Sequence, residues 1–137
     1  MNHTTQEVSE QLKSQFIALY CMVLADGVID VKELETLYRI GKEQYALTKE
    51  EINRAVLNNG SSFIVPENME AKIKFLYNLA TIAWADGVLE QSEINLMHKY
   101  IIRLGFLEEN LSAIADFIFD SVKQGRTIEE TISLALS

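Results

Sequence analysis

A repeat spaced by sixty residues constrains this chain more than any other feature of its sequence. The motif Asp-Gly-Val-(Ile/Leu)-(Asp/Glu)-x-x-Glu occupies residues 26–33 and occurs again at residues 86–93. Five of the eleven positions from 24 to 34 are identical to the positions sixty residues later. Such internal repeats mark duplicated supersecondary units. The sequence therefore predicts two copies of a helix–acidic turn–helix unit.

The pattern of apolar residues predicts an all-α fold. Apolar residues recur at intervals of three and four, without the alternation of a strand, and one proline and six glycines leave few helix breakers. We expect a single domain over residues 1–137 with about seven helices. Its two pseudo-symmetric units, about residues 10–59 and 67–123, would pack as one globular bundle. The linker, residues 58–66, opens on the run Asn-Asn-Gly-Ser-Ser, the clearest loop signal in the chain.

Four local signals refine this prediction. Capping boxes are expected at Thr48–Glu51 and Thr127–Glu130, since each pair has the Thr-x-x-Glu spacing in front of an apolar run. Pro66 is expected in the first turn of the fourth helix. Gly41 lies inside the second helix and suggests a close helix crossing. The short helix at the end of the sequence is amphipathic, so its stripe of Ile128, Ile132 and Leu136 is expected to dock on the core.

Composition excludes several classes of function. The net charge is −8 and no basic cluster occurs, so nucleic acid and anionic membrane surfaces are unsuitable partners. The longest uncharged runs, Ser14–Ala25 and Phe75–Ala85, are about half of the roughly 20 residues that a membrane helix needs, which argues against direct membrane insertion. The N-terminus lacks the pattern of a signal peptide, so a cytoplasmic location is expected. Cys21, the single cysteine, is expected to be a small buried hydrophobe.

Each acidic turn is similar to the second half of an EF-hand calcium loop, in which the glycine is the sixth position. The first and third ligand positions would then fall on Met22 and Leu24, and on Ile82 and Trp84 in the second unit. These side chains cannot ligate Ca²⁺, which takes about 6–8 oxygen ligands. The sequence therefore rejects a working EF-hand in either unit.

The position of one aspartate in each turn still calls for an explanation. Asp26 and Asp86 follow helix C-termini, where the helix dipole disfavours a carboxylate by roughly 0.3–1 kcal/mol. Two compensations remain open: a divalent cation shared by the two turns, or an Asx turn in which each aspartate accepts a hydrogen bond from its own loop. Packing about a two-fold axis would bring together the candidate metal ligands Asp26, Asp30, Glu33, Asp86, Glu90 and Glu93. Such hard oxygen ligands suit Ca²⁺, Mg²⁺ or Mn²⁺.

At these turns the chain resembles the tellurite-resistance TerB-like family. Those domains carry Ala-Asp-Gly-x-(Ile/Leu)-x-x-x-Glu at the turn, and here that motif occupies residues 25–33 and 85–93. The resemblance covers about residues 10–125 and implies a duplicated helical domain. It also implies a role in stress-response or membrane-associated complexes, with metal ions bound by the acidic turns. Asp30 and Glu33 have the spacing of a capping box at the start of the second helix, in which Asp30 accepts from the Glu33 amide and Glu33 reaches back. Glu90 replaces Asp30 in the second turn, which predicts a weaker capping box there.

Three classes of function follow from these observations. The first is a non-enzymatic, stress-linked adaptor with a protein partner and a divalent cation at its acidic turns. The second is a metal-independent interaction module, similar to those fused to co-chaperones, that binds a basic partner through its acidic face. The third is a hydrolase in which paired carboxylates hold metals that activate water. No substrate-orienting set of residues is visible, so we predict no catalytic residues, and the sequence leaves the oligomeric state open.

Overall fold

The computed structural model describes residues 14–16, 18–23, 30–57 and 64–137. This part of the chain contains helices and no strand, so the predicted all-α class is confirmed. None of the described helices is long and apolar enough to cross a membrane. In chain order the helices are α1 (helical residues 14–16 and 18–23), α2 (Val31–Tyr45), α3 (Lys49–Leu57), α4 (Met69–Ala83), α5 (Gln91–Arg103), a 3₁₀ turn (Glu108–Asn110), α6 (Leu111–Lys123) and α7 (Ile128–Leu136).

Helix α4 is the central element of the core. It packs against α2, which precedes it in the chain, and against α5, α6 and α7, which follow it. Phe75, Leu76, Leu79 and Ile82 of α4 are each at most 1% exposed. A helix with apolar residues on most of its faces must be covered by neighbouring elements. Helix α4 therefore connects described helices from both halves of the chain.

Gly41 allows α2 to approach α3 and α1 closely, as its position within a helix predicts. A Cβ atom built on Gly41 would overlap the side chain of Ile52 in α3 and would lie 3.2 Å from the ring of Phe16 in α1. Ile52 is 1% exposed and Phe16 is fully buried, so neither side chain can move aside into solvent. The missing side chain therefore sets the distance between these helices.

Gly41→Ala is expected to destabilise the protein. The substitution gains about 1 kcal/mol of helix propensity, but overpacking a buried contact costs about 1–3 kcal/mol. We expect a net loss of about 1 kcal/mol in urea unfolding, and a smaller loss in an Ile52→Val background, where the overlapping methyl group is absent. Stabilisation by Gly41→Ala in the wild-type background would show that the crossing has room to spare.

Both predicted capping boxes are formed. Glu51 N donates to Thr48 Oγ1 at 3.1 Å, and Thr48 N donates to Glu51 Oε1 at 2.9 Å. The same two bonds join Thr127 and Glu130 at 3.0 and 2.8 Å. Each box satisfies amide groups that a helix N-terminus leaves without partners inside the helix. These four residues determine where α3 and α7 begin.

The prediction that Pro66 lies in the first turn of the fourth helix is wrong. Helix α4 begins at Met69, and the side chain of Asn68 caps it by accepting a hydrogen bond from Ala71 N at 2.8 Å. Asparagine is among the best N-cap residues because its side chain replaces a missing hydrogen-bond acceptor. Pro66 is instead a buried residue of the segment that leads into the helix.

The last helix docks only in part. Thr131 is fully buried and Ile128 and Ile132 are half-buried, so the first turns of α7 pack on the core as predicted. Leu134 and Leu136 are each 50% exposed, although Leu136 belongs to the predicted stripe. The end of α7 therefore presents apolar side chains to solvent.

The prediction that Cys21 is buried is also wrong, since the side chain is exposed. Leu19, Met22 and Val23 of the same helix are buried, and residue 21 falls on the other side of α1. An apolar stretch of sequence does not by itself show which of its residues face solvent, because only one stripe of an amphipathic helix is covered. Burial, together with the neighbouring Cys21, raises the pKa of Tyr100 to about 12.

Candidate functional site

Five of the six predicted metal-ligating carboxylates lie in the described part of the chain, and Asp26 lies outside it. The structure brings the carboxyls of Glu33 and Glu93 into direct contact and leaves Glu90 exposed. Asp30 and Asp86 lie close enough for their charges to act on Glu33. The two acidic turns therefore meet through their glutamates, which occupy equivalent positions of the repeat.

Asp30 is the N-cap of α2. Its Oδ1 accepts hydrogen bonds from Lys32 N at 2.8 Å and from Glu33 N at 3.1 Å. This is the predicted half of a capping box, in which a short acidic side chain satisfies the free amides of a helix N-terminus. The predicted return bond from Glu33 gives way to a contact with Glu93 in the second unit. One carboxylate therefore caps α2, while the other connects the repeats.

Glu93 serves its own helix as well as the contact with Glu33. Glu90 N donates a hydrogen bond to Glu93 Oε1 at 2.8 Å. This is the return bond of a capping box, and it is present in the second turn although a weaker box was predicted there. Glu93 lies at N3 of α5, from which a glutamate can reach back to the N-cap amide. This bond orients the Glu93 carboxyl while it contacts Glu33.

Asp86 is explained by an Asx turn. Its Oδ1 accepts a hydrogen bond from Val88 N at 3.0 Å, and Gly87 adopts the left-handed conformation with φ +82°. This is one of the two compensations considered for a carboxylate at a helix C-terminus. In the second unit, the aspartate is thus satisfied by an amide of its own loop.

The carboxyls of Glu33 and Glu93 form a buried pair between the repeats. Glu33 is 2% exposed and Glu93 is 1% exposed. Burial raises the pKa of Glu33 to about 9, helped by its hydrogen bond with Glu93 and by the negative charges of Glu93, Asp86 and Asp30. Two carboxylates in contact cannot both ionise cheaply, so a proton held between them stabilises the pair.

The carboxylates fit a divalent cation in ligand type but are incomplete in number. Glu33 and Glu93 would supply oxygen ligands of the kind that Ca²⁺, Mg²⁺ and Mn²⁺ prefer. Asp30 and Asp86 each use one oxygen to bind loop or helix amides. Within the described ranges, no group of three or more His, Cys, Asp or Glu side chains could hold a metal ion. The described carboxylates therefore supply too few ligands in one place to make up a metal site by themselves.

Trp84 anchors the end of α4 beside the second acidic turn, as expected for an aromatic residue that packs there. Its Nε1 donates a hydrogen bond to the Phe119 carbonyl of α6 at 3.0 Å. Lys123 Nζ lies 5.5 Å from the centroid of the indole ring, within the range of a cation–π contact. These contacts join α4 to α6 and hold the start of the turn.

A further polar connection, which joins α2 to α4, was not predicted from the sequence. Gln44 Nε2 donates to Asn78 Oδ1 at 3.0 Å, and Asn78 Nδ2 donates to Gln44 Oε1 at 2.9 Å. Asn78 is 1% exposed, so its amide needs this partner. The available signal was an asparagine within the apolar run from Phe75 to Ala83.

The chain was compared with protein-family models, curated proteins and solved structures. No protein-family model, curated protein or solved structure matches the chain.

Proposed function

We propose that the protein is a non-enzymatic, stress-linked helical adaptor of the TerB-like kind, whose two acidic turns respond to a divalent cation. The observation that carries this proposal is the contact between Glu33 and Glu93. Equivalent residues of the two repeats meet there, and both are almost fully buried. A charge change at this contact acts directly on the junction between the repeats. A cation could thereby alter the surface that an adaptor offers to a protein partner.

The residues that would hold the cation are the buried pair and its acidic neighbours. Glu33 and Glu93 would be the central ligands, and the free oxygens of Asp30 and Asp86 are the nearest described candidates beyond them. Asp26 is the sequence counterpart of Asp86, and Glu90 that of Asp30. Water would complete the coordination, since Ca²⁺ and Mg²⁺ commonly retain it. The cation would supply the positive charge that otherwise comes from a proton.

The burial of the pair supports an adaptor over a hydrolase. A hydrolytic metal centre needs an open position for water and substrate. Glu33 and Glu93 are 2% and 1% exposed, so a substrate would have to displace the turns before it reached the carboxyls. A cation at this position would act on structure rather than on a substrate.

A metal-independent interaction module is the second candidate. It is favoured by the raised pKa of Glu33, because a shared proton already satisfies the buried pair without a metal. Under this alternative, the pair is a structural contact between the repeats, and partner binding depends on the acidic surface alone. The two candidates differ in the expected effect of a cation: the first predicts a higher melting temperature, and the second predicts no specific shift.

Cation binding is expected to raise the melting temperature of the chelated protein. Ca²⁺, Mg²⁺ and Mn²⁺ would be added separately at constant ionic strength and about pH 8, where the carboxyl groups of the unfolded chain are fully ionised. A cation at ten times its Kd stabilises the folded state by about 1.4 kcal/mol. The Glu33→Gln/Glu93→Gln variant should lose this cation-induced shift.

The matched control is Glu35→Gln/Glu50→Gln, which makes the same two substitutions at exposed positions outside the turns. It should keep the wild-type shift, which separates specific ligands from general screening. Equal shifts in all three proteins, or no shift with any cation, would reject the cation-responsive adaptor and leave the metal-independent module.

A further inference from the structure

An apolar groove lies on the side of the molecule formed by the C-terminal helices. Its volume is about 460 Å³, and it runs between the start of α4, the 3₁₀ turn with α6, and the end of α7. The residues that line it include Met69, Phe106, Ala113, Leu134 and Leu136. This volume lies within the range of about 300–1,000 Å³ that is typical of ligand sites.

Part of the lining of the groove is exposed to solvent. Met69 is 42% exposed, and Leu134 and Leu136 are each 50% exposed. Scattered exposed apolar residues are common, but a contiguous concave group of them marks a binding surface. Because the groove lies between helices, its shape suits another helix, whose apolar stripe can fill it.

Acidic residues flank the groove on the 3₁₀ turn and on α6. Ala113 lines the groove, Glu109 lies four residues before it and Asp116 lies three residues after it. Residues spaced by three or four are neighbours on a helix surface, and all three side chains are exposed. One wall of the groove therefore carries an acidic border along an apolar floor.

The opposite wall carries one base. Met69 begins α4 on this wall, and Lys72 lies near it, with its Nζ 5.9 Å from the centroid of Phe106. Glu109 and Asp116 on one wall and Lys72 on the other leave more negative than positive charge at the border of the groove. A positively charged partner would complement it.

We propose that this groove binds a basic amphipathic helix of a protein partner. Apolar side chains at helical spacing would fill the space between α4, α6 and α7, and lysines or arginines on one flank would face the acidic border formed by Glu109 and Asp116. The inference rests on the proposed adaptor function, because it supplies the partner surface that an adaptor needs. It does not require the acidic turns to bind a cation.

Synthetic peptides test the groove directly. The probe is a labelled peptide of about 14 residues, or about 20 Å of helix, with leucines at i, i+3, i+4 and i+7 and lysines on the flanks. One comparison peptide replaces each lysine with glutamate, and another keeps the composition but scrambles the helical spacing. Fluorescence anisotropy with the full chain should show binding of the first peptide alone.

Two pairs of variants locate the binding. Ala113→Gln places a larger side chain in the groove and should weaken binding about tenfold, whereas Ser112→Gln, at the neighbouring exposed position, should change it by no more than about twofold. Glu109→Gln/Asp116→Asn should weaken binding by about threefold to tenfold at low salt and less at high salt. Glu35→Gln/Glu50→Gln removes equal charge elsewhere and should have a smaller effect.

Several results would overturn this inference. They are equal binding of the acidic peptide, binding that survives Ala113→Gln, and absence of binding by the basic peptide. A wild-type dimer that Ala113→Gln converts into a monomer in sedimentation would show that a second copy occupies the groove.

All measurements are made with chelator and again with cation. A cation-induced melting shift without peptide binding rejects the groove alone, and peptide binding without that shift rejects the cation response alone.

Discussion

Glu33→Gln is expected to stabilise the protein relative to wild type, by an amount that grows as the pH rises. Glutamine has nearly the shape of a protonated glutamate and can donate a hydrogen bond to Glu93, but it cannot ionise. Glu33 is 2% exposed, so its ionised form is costly in the folded state. The substitution therefore removes the ionisation of Glu33, which lowers the stability of the folded state as the pH rises.

The direction follows from the two pKa values of Glu33. Its ordinary pKa is 4.5, and its pKa in the folded protein is about 9. Between these values the folded state holds a proton that the unfolded chain has released, so this group's contribution to stability is complete below about pH 4.5 and is lost as the pH rises towards 9. Each pH unit in this window is worth at most about 1.4 kcal/mol, so the advantage of glutamine grows by up to about 2.7 kcal/mol between about pH 6 and about pH 8.

Urea unfolding at several pH values, with chelator present, measures this difference. Glu35→Gln is the matched control, because it lies in the same helix and its side chain is exposed. Its difference from wild type should change little with pH. If the stability curves of wild type and Glu33→Gln stay parallel from about pH 6 to about pH 8, Glu33 does not hold a proton in the folded protein.

Leu79→Ala is expected to lower the free energy of unfolding by about 2–5 kcal/mol, whereas Leu134→Ala should cost about 1 kcal/mol or less. Leu79 is fully buried in α4, so its truncation leaves a cavity that the helices around it cannot fill. Leu134 is 50% exposed on the groove, and solvent already reaches it. The two variants are compared by urea unfolding at one pH. The slope of the free energy of unfolding against urea concentration is checked to be the same in both.

A similar cost for both leucines would contradict the described exposure of α7. It would mean that Leu134 belongs to the core and that the apolar groove is closed in solution. A small cost, with the fold retained, would also make Leu134→Ala a second variant for the peptide experiment.

Much of the helical architecture could be predicted because its signals are local. A capping box depends on two residues three positions apart, and a glycine after a helix depends on one backbone conformation. Thr48 with Glu51, and Gly105 with φ +96°, show these signals at work. Pro66 was misplaced because Asn68, two residues later, is the stronger N-cap. Cys21 was misplaced because helical periodicity alone left its side of α1 undecided.

The carboxylates of the acidic turns could be identified from the sequence, but the contacts between them could not. The repeat identified Glu33 and Glu93 as equivalent positions, yet both were expected to serve only their own turns or a metal. Their meeting depends on how α2 and α5 are placed around α4, which is tertiary information. The apolar groove was missed for a related reason. The stripe of α7 was expected to be covered, and only the structure shows that Leu134 and Leu136 extend past the surface that covers the first turns.

The central position of α4 means that the repeats in the sequence are not independent folding units. Helix α4 contacts α2 from the first repeat and α5, α6 and α7 after it, so a fragment that carries α4 lacks part of its cover unless it includes both sides. A cut in the linker would leave an apolar helix exposed, and such surfaces promote aggregation. The two halves of the described chain therefore share part of one core, and a working form of either half would need a redesigned face on α4.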